Sequence, residues 1–303
     1  MKILVFGSLN IDKVYGVAEF PRPGETIAAL SYDSFCGGKG LNQAIAAARA
    51  GGEISFAGMI GEDGAMLSQA LRREGIDTRH LRQIAGASGH AVIQVAKTGQ
   101  NCIMVYGAAN ARVDAPFADA VLEDFSAGDV LLLQNEISAI GHIIRKAHEK
   151  GMTVFFNPSP IDGRIAQYPL DMVDYFIVNE VEGAHLTGKQ EPGEILTALR
   201  ARFPNASFVL TLGPAGARYL GRDGTMASCG VLDVPVVDTT AAGDTFCGYF
   251  LSSVCAGHAP KTALDIAMVA SNIAVTRAGA EPSIPRADEV ADLYQKTSAL
   301  SKS

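Results

Sequence analysis

The chain has 303 residues, of which 48% are hydrophobic, and this is enough for a substantial core. Lys and Arg total 25 against 32 Asp and Glu, and the net charge of −7 argues against a nucleic-acid partner. The 5 cysteines are odd in number and include no CxxC pair, so neither a disulfide framework nor a zinc site is indicated.

The N-terminal stretch "MKILVFGSLNID" enters a short apolar strand directly. It contains neither the long apolar segment nor the small-residue cleavage site of a signal peptide. No later apolar run approaches the roughly 18 residues that a membrane helix needs. We therefore expect a cytoplasmic protein with no membrane partner.

Short apolar strands alternate with helical patterns along most of the chain. The predicted strands, in order, are "ILVFG", "ISFAGMI", "VLLLQNE", "TVFFN", "YFIVNE" and "FVLTLG". The predicted helices between and after them cover residues 41–50, 65–74, 140–150, 195–203 and 287 to about 299. This order predicts a mostly parallel sheet with helices on both faces.

Two insertions interrupt the alternation. The first is "TIAALSYDSF" at 26–35, and the second is a hairpin pattern over 90–106 with its turn at 98–100. The hairpin alternates polar and apolar residues, which is typical of a sheet with one apolar face. We expect a separate small sheet that covers a cleft or forms a dimer contact.

Polar and glycine-rich segments follow the early strands. Asn10 and Asp12 are two apart and point to the same side if the chain is extended, which suits a polyol. A turn stabilised by Asn and Asp explains them equally well. Gly37, Gly38 and Gly40 precede a helix but match neither a Walker A loop nor GxGxxG. They either admit a ligand close to the main chain or form a simple helix entry.

Polar residues also follow the later strands. Glu136 comes after "VLLLQ", and Asn179 and Glu182 come three apart after "YFIV". Helix capping explains Asn179, whereas a carboxylate beside bound phosphates would hold Mg²⁺ through water. The glycine loop "TLGPAG" ends another strand. Because ligands gather at the carboxyl ends of parallel strands, their shared position favours a ligand site.

The stretch "VVDTTAAGDTFCGYF" places one carboxylate at the start of a predicted helix. Val236 and Val237 are typical of the end of a buried strand, and the small residues 241–243 allow close approach to the main chain. Asp244 is then either a helix-capping residue or a general base beside an anion hole.

The segments "GGKGLNQA" and "DTTAAGDTF" together resemble the two signatures of the ribokinase, or PfkB, carbohydrate kinase family. Six more segments match the family: "GSLNID", "GAAN", "NPSP", "VNEVE", "TLGPAG" and "AVTRAGAEPSIP". The resemblance covers nearly the whole chain. It implies one domain over residues 1–303, a three-layer α/β sandwich with a mostly parallel central sheet. A small β-sheet lid would come from about 12–36 and 88–107.

The resemblance implies transfer of the ATP γ-phosphoryl group to the hydroxymethyl oxygen of a sugar. Asp244 would be the catalytic base, with the backbone amides of Ala241, Ala242, Gly243 and Asp244 forming the anion hole. The implied sugar-binding residues are Asn10, Asp12, Gly38, Lys39, Asn42, Glu136 and Asp244. The implied nucleotide-binding residues are Asn179, Thr211, Gly213, Gly216 and Gly243.

Two metal ions are implied by the same resemblance. Glu182 would orient a hydrated Mg²⁺, and a monovalent cation, K⁺, would lie beside the anion hole on mostly carbonyl oxygens. The implied K⁺ positions are Asp238, Thr240, Ala274, Arg277, Gly279 and Ser283. The cation would act by fixing the shape of the turn at 241–244.

The expected substrate is a pentose, D-ribose, which would yield ribose 5-phosphate. Met268 stands where relatives that contact adenine usually carry a polar residue, which leaves the nucleotide base preference open. Tyr106 is bulky for a position near the sugar, which leaves the sugar itself open. Deoxyribose, fructose or another hexose, or a nucleoside remain alternatives. A sugar-binding regulator without catalysis is a further one, against which the intact Asp244 and glycine turn argue. By analogy, we expect a homodimer formed through the lid.

Overall fold

The computed structural model describes residues 1–300 of the chain. Its strands are β1 Ile3–Phe6, β2 Asn10–Val17, β3 Ser31–Gly37, β4 Ile54–Ile60, β5 Asp77–Gln83, β6 Gly89–Ala96, β7 Asn101–Tyr106, β8 Val130–Gln134, β9 Thr153–Asn157, β10 Tyr175–Asn179, β11 Ser207–Thr211, β12 Ala217–Leu220 and β13 Met226–Cys229. Its helices are α1 Lys39–Arg49, α2 Ala65–Arg73, α3 Ala115–Leu122, α4 Ile140–Glu149, α5 Glu180–Thr187, α6 Pro192–Arg202, α7 Ala242–Cys255, α8 Pro260–Ala274 and α9 Ala287–Leu300.

The large sheet has nine strands in the order β13-β12-β11-β10-β9-β8-β1-β4-β5. All neighbours from β11 to β5 pair in parallel, and β12 and β13 complete one edge in antiparallel pairing. The predicted parallel sheet is therefore confirmed. Every one of its predicted strands and helices is present within a few residues of the expected bounds.

Two hydrophobic cores lie on opposite faces of this sheet. Because side chains alternate along a strand, Ile3 and Val5 of β1 pack into one core and Leu4 and Phe6 into the other. The first core also contains residues of α1, α2, α7 and α8, and the second contains residues of α3, α4 and α6. Helix, sheet and helix therefore form the expected three-layer sandwich.

The small sheet has four strands in the order β3-β2-β6-β7. The hairpin predicted over 90–106 is confirmed as β6 and β7, and its turn is closed by hydrogen bonds between Ala96 and Gln100 and from Gly99 to Ala96. The strand β2 pairs in parallel with β6 and in antiparallel with β3. Assignment of residues 1–303 to one domain stays a prediction.

The insertion at 26–35 contributes to the small sheet as predicted, through β3, which begins at Ser31. One local prediction was wrong. Val236 and Val237 do not end a buried strand: they lie in an irregular segment and are 66% and 62% exposed. That segment is held instead by main-chain hydrogen bonds from Val237 and Asp238 to the carbonyl of Val275. In residues 1–300, no helix is long and apolar enough to cross a bilayer.

Candidate active site

Helix α7 carries Asp244 in its first turn. The helix begins after Ala241, whose φ of 59° is left-handed and turns the incoming chain sharply. The Asp244 side chain is buried, at 7% exposure, and lies where the helix dipole favours negative charge. No side chain caps this helix in the described chain. Asp244 is therefore not the capping residue, which removes the simpler of the two sequence interpretations.

The backbone amides of the turn are largely unpaired. The N–H of Ala242 donates to the Thr239 carbonyl at 3.3 Å, but those of Ala241, Gly243 and Asp244 meet no protein acceptor within the part of the chain described. Free N–H groups at a helix start attract anions. Three of the four predicted amides are therefore available to an anion.

The Asp244 carboxylate is held by residues at the start of α1. Asn42 Nδ2 donates to one oxygen at 3.1 Å and Gln43 Nε2 donates to the other at 2.9 Å. Lys39 Nζ lies 3.9 Å from Asp244 Oδ1. The Asp244 charge, against the opposing effect of burial, raises the pKa of Lys39, so the ammonium stays charged. The two signature segments thus meet at this carboxylate.

The glycines before α1 allow main chains to pack closely. A Cβ on Gly38 would lie 2.9 Å from the Asn10 nitrogen, and Gly38 itself has a φ of 94°. A Cβ on Gly37 would overlap the carboxylate of Asp12. The glycine loop therefore presses α1 against the connection that precedes β2.

Asp12 and Glu136 are two more carboxyl groups close enough to Asp244 for its charge to act on them. Burial, followed by the charges of Glu136 and Asp244, raises the pKa of Asp12 to about 7. Burial also raises the pKa of Glu136, although the Lys39 charge opposes this. Glu136 Oε2 accepts hydrogen bonds from Ser8 Oγ at 2.5 Å and from the Lys39 main chain at 3.0 Å.

Asn10 is buried at the start of β2. Its Oδ1 accepts a hydrogen bond from Asn110 Nδ2 at 2.8 Å, and Asn110 also bonds both main-chain groups of Leu9. The strand confirms the extended chain that places Asn10 and Asp12 on one side. Asn110, in the "GAAN" segment, positions Asn10 and was not predicted as a site residue.

A cavity of about 380 Å³ lies on the other side of the glycine turn. It brings together all five residues predicted for the nucleotide, Asn179, Thr211, Gly213, Gly216 and Gly243. Met268 lines it as well, as expected. The sequence did not single out its other apolar and amide lining, which includes Val231, Leu232, Phe246 and Asn272.

A smaller space of about 70 Å³ connects this cavity to the carboxylates. Asn179, Thr211 and Gly243 line both spaces, and Lys39 and Asp244 line the smaller one. Asn157 and Cys247 also line it and were not predicted. A further cavity of about 400 Å³, beside α4, contains none of the predicted site residues.

Asn179 and Glu182 form a capping box at the start of α5. Asn179 Oδ1 accepts from the Glu182 N–H at 2.9 Å, and Glu182 Oε2 accepts from the Asn179 N–H at 3.0 Å. The sequence left capping and ligand binding as alternatives for Asn179. Both residues cap the helix and also line the small space, so the two interpretations are compatible.

The six residues predicted to hold K⁺ belong to two neighbouring segments. Asp238 Oδ1 accepts from the Thr240 N–H at 2.9 Å, and its Oδ2 accepts from the Gly279 N–H at 2.9 Å, which joins the segments. Although burial opposes it, these hydrogen bonds lower the pKa of Asp238. Ser283 is buried, Ala274 ends α8, and the Arg277 side chain pairs with Glu289. Among the described residues, no three His, Cys, Asp or Glu side chains form a metal cluster.

Comparison with known proteins identifies the family. Residues 1–287 match the pfkB family carbohydrate kinases. The chain belongs to this family. A ribokinase of Haemophilus influenzae is 33% identical over 97% of this chain and 98% of its own length. A ribokinase of Schizosaccharomyces pombe is 35% identical over 96% of each chain. The structure of Arabidopsis thaliana ribokinase complexed with ribose and ATP superposes with a TM-score of 0.87, at 29% identity, covering 97% of this chain and 98% of that one.

Proposed function

We propose that this ATP-dependent sugar kinase phosphorylates the hydroxymethyl oxygen of D-ribose and yields ribose 5-phosphate. The observation that carries the proposal is the position of Asp244, which lines the narrow space between the carboxyl cluster and the large cavity. The likeness to ribokinases over nearly the full chain supports ribose as the acceptor.

Asp244 is the proposed general base. One carboxylate oxygen of Asp244 accepts the proton of the sugar hydroxyl while the hydroxyl oxygen attacks the γ-phosphorus. The bond from the γ-phosphorus to the β–γ bridging oxygen breaks, and that bridging oxygen leaves with ADP. The amides of 241–244 would stabilise the charge that develops on the transferring group, since three of them are unpaired. Lys39, 3.9 Å from Asp244, adds a positive charge beside the same path.

The sugar would be held by the polar groups around Asp244. Asn42 Oδ1 is buried and has no protein partner in the described chain, so it can accept a sugar hydroxyl. Asp12 and Glu136 supply carboxyl acceptors, and Asn10 is fixed beside them by Asn110. Gly38 and Lys39 complete the predicted set at the start of α1.

The residues present fit both metal ions of the prediction. Glu182 is a buried carboxylate that lines the small space together with Asp244, and a site with few protein ligands suits a Mg²⁺ that keeps most of its waters and binds phosphates. The charged Asp238 and the carbonyls near 274–283 suit a monovalent cation. Bound Mg²⁺ would neutralise phosphate charge, and bound K⁺ would fix the shape of the turn.

A coupled assay of ADP formation tests the proposal. Purified protein is mixed with Mg-ATP and each of D-ribose, deoxyribose, fructose and a nucleoside, with and without K⁺ in sodium-free buffer. We expect the highest kcat/KM with ribose, and stimulation by K⁺. Equal rates with and without K⁺ would contradict the proposed cation site. A higher kcat/KM with another acceptor would contradict the assignment of ribose.

No ADP with any acceptor, together with measurable ribose binding by calorimetry, would favour the sugar-binding regulator. The buried, hydrogen-bonded Asp244 argues for the enzyme, because a regulator has no need of a general base there.

We also propose a homodimer formed through the lid, which we define as the strands β2, β3, β6 and β7. β7 is an edge strand with every residue exposed, and Ile103, Met104, Val105 and Tyr106 are each more than half exposed. An exposed apolar edge suits a second copy of the same strand. The cytoplasm stays the predicted location.

A further inference from the structure

Two fully buried glutamines lie behind Asp244, on the path from the sheet to the carboxylate. Gln43 of α1 and Gln134 at the end of β8 are both 0% exposed. Gln134 Nε2 donates to Gln43 Oε1 at 2.8 Å, and Gln43 Nε2 donates to Asp244 Oδ1 at 2.9 Å. The proposed function gives neither glutamine a role.

The direction of these hydrogen bonds is fixed at both ends. An ionised carboxylate only accepts, so the amide nitrogen of Gln43 must face Asp244. Asn157 Nδ2 donates to the main-chain carbonyl of Ile177 at 2.8 Å, which leaves its Oδ1 to accept from Gln43 Nε2 at 3.2 Å. Both hydrogens of the Gln43 amide are therefore used, and its oxygen must face Gln134.

We propose that Gln43 and Gln134 are positioning residues that orient the Asp244 carboxylate, an inference that rests on the proposed function. A donor locked onto one oxygen stabilises the charged form and holds the carboxylate plane. Gln134 acts through Gln43, because its donated hydrogen bond prevents the Gln43 amide from reversing and presenting an oxygen to Asp244.

An unpaired atom in Gln134 supports a positioning role. Gln134 Oε1 is buried without a hydrogen-bond partner in the described chain, and a Cβ on Gly7 would overlap it. A buried unsatisfied oxygen is destabilising, so an apolar side chain would suit the core better at this position. The glutamine is explained by the hydrogen bond that its nitrogen makes.

Other titratable and polar groups also lie near Asp244 and set the background for any pH effect. They are Lys39, Asn42 as a neutral donor, Asp12, Glu136, Glu182 and the buried thiol of Cys247. All of them are unchanged in a variant of Gln43 or Gln134. A change in the pH profile of such a variant therefore reports the amide donors.

The test measures kcat, KM and the pH profile of kcat for Gln43→Met and Gln134→Met. Met keeps the approximate length of the side chain and removes the donor. We expect Gln43→Met to lower kcat by about tenfold and to move the acid limb of the profile up by about one pH unit, because one charge-assisted donor is lost. Gln134→Met should change kcat and the acid limb in the same directions, but by smaller amounts than Gln43→Met. KM values for ribose and ATP should stay within about threefold.

A matched control separates positioning from stability. Ile144→Ala removes side-chain volume from the core on the opposite face of the sheet and should lower the melting temperature without moving the acid limb. An acid limb and a kcat equal to wild type in both glutamine variants would overturn the proposal. If Gln43→Met does not fold, Gln134→Met decides it in the same way.

A readout without turnover keeps the inference separate from the proposed function. In ¹⁵N-glutamine-labelled protein, the side-chain amide resonances of Gln43 should move on Asp244→Asn and on Gln134→Met. Absence of ADP formation by the wild type would remove the proposed function alone. Gln43 amide resonances that do not move on either substitution would contradict the proposed positioning of Asp244 by Gln134 and Gln43.

Discussion

The pKa of Asp12 reflects its burial and, after that, the neighbouring carboxyl groups of the site. Its pKa of about 7 in the folded chain, above the ordinary value near 4 of the unfolded chain, means that the folded protein favours the neutral carboxyl. The stability that this neutral form contributes is complete below about pH 4 and is lost as the pH rises to 7. Ionised Asp12 in the unliganded protein is therefore destabilising at pH 8.

We predict that Asp12→Asn raises the free energy of unfolding at pH 8 by about 1–2 kcal/mol, an amount reduced for the partial exposure of the side chain. The gain should disappear as the pH falls below about 4, where Asp12 becomes neutral in both states. Chemical denaturation at several pH values measures this. Asp63→Asn is a control that should lower the free energy of unfolding at pH 8. Despite some burial, hydrogen bonds from Ser88 lower the pKa of Asp63 and so stabilise its charged form in the folded chain. A constant difference between wild type and Asp12→Asn across pH would contradict the prediction.

Several site residues could be predicted from the sequence because they stand in dense local patterns. Asp244 lies beside a small-residue turn, and Lys39 and Asn42 lie just after a glycine run. Gln43 and Asn157 could not be predicted in the same way. Gln43 bonds Asp244, 201 positions away in the chain, and Asn157, 114 positions away. Only the folded sheet brings these amides together. The sequence does carry one signal for Gln43, which is a polar side chain beside a run of alanines on a helix expected to be buried.

At the scale of elements, sequence periodicity gave correct positions for buried strands and amphipathic helices. It failed where tertiary contacts replace a pattern. Val236 and Val237 have the β-branched side chains of a strand, yet no strand of the described chain pairs with them. The N–H groups of Val237 and Asp238 donate to the carbonyl of Val275 instead. The expected lid began at about residue 12, whereas β2 begins at Asn10, because polar Asn10 and Asp12 break the apolar pattern of a strand.

Helix α5 combines a structural and a proposed binding role in one carboxylate. We predict that Glu182→Gln keeps the free energy of unfolding within about 1 kcal/mol of wild type, because the amide oxygen can still accept from the Asn179 N–H. The Mg²⁺ concentration for half-maximal activity should rise by about tenfold with the lost charge. Thermal melting and a Mg²⁺ titration of activity measure the two effects. Glu182→Ala should lower both stability and Mg²⁺ response, and a Gln variant with wild-type Mg²⁺ response would exclude Glu182 from that role.

At the scale of the whole molecule, the two sheets differ in what they expose. The large sheet is covered by helices on both faces, whereas the lid leaves an apolar edge open to solvent. This contrast supports the lid as the surface of the proposed homodimer.

We predict that light scattering gives twice the chain mass for the wild type and the single chain mass for Met104→Lys, because a buried charge at the interface is unfavourable. Met226→Lys is the matched control, since Met226 is 75% exposed on β13, which is an edge strand of the large sheet and not part of the lid. It should remain dimeric. A monomeric wild type at micromolar concentration would refute the lid dimer.

The most direct test of the whole account is the turnover of Asp244→Asn at saturating ribose and Mg-ATP. With the base removed and the fold kept, kcat should fall by at least about a hundredfold while calorimetry still detects ribose binding. A carboxylate with only a structural role would instead lower the melting temperature and leave turnover largely intact. Near-normal kcat in Asp244→Asn would contradict the proposed mechanism.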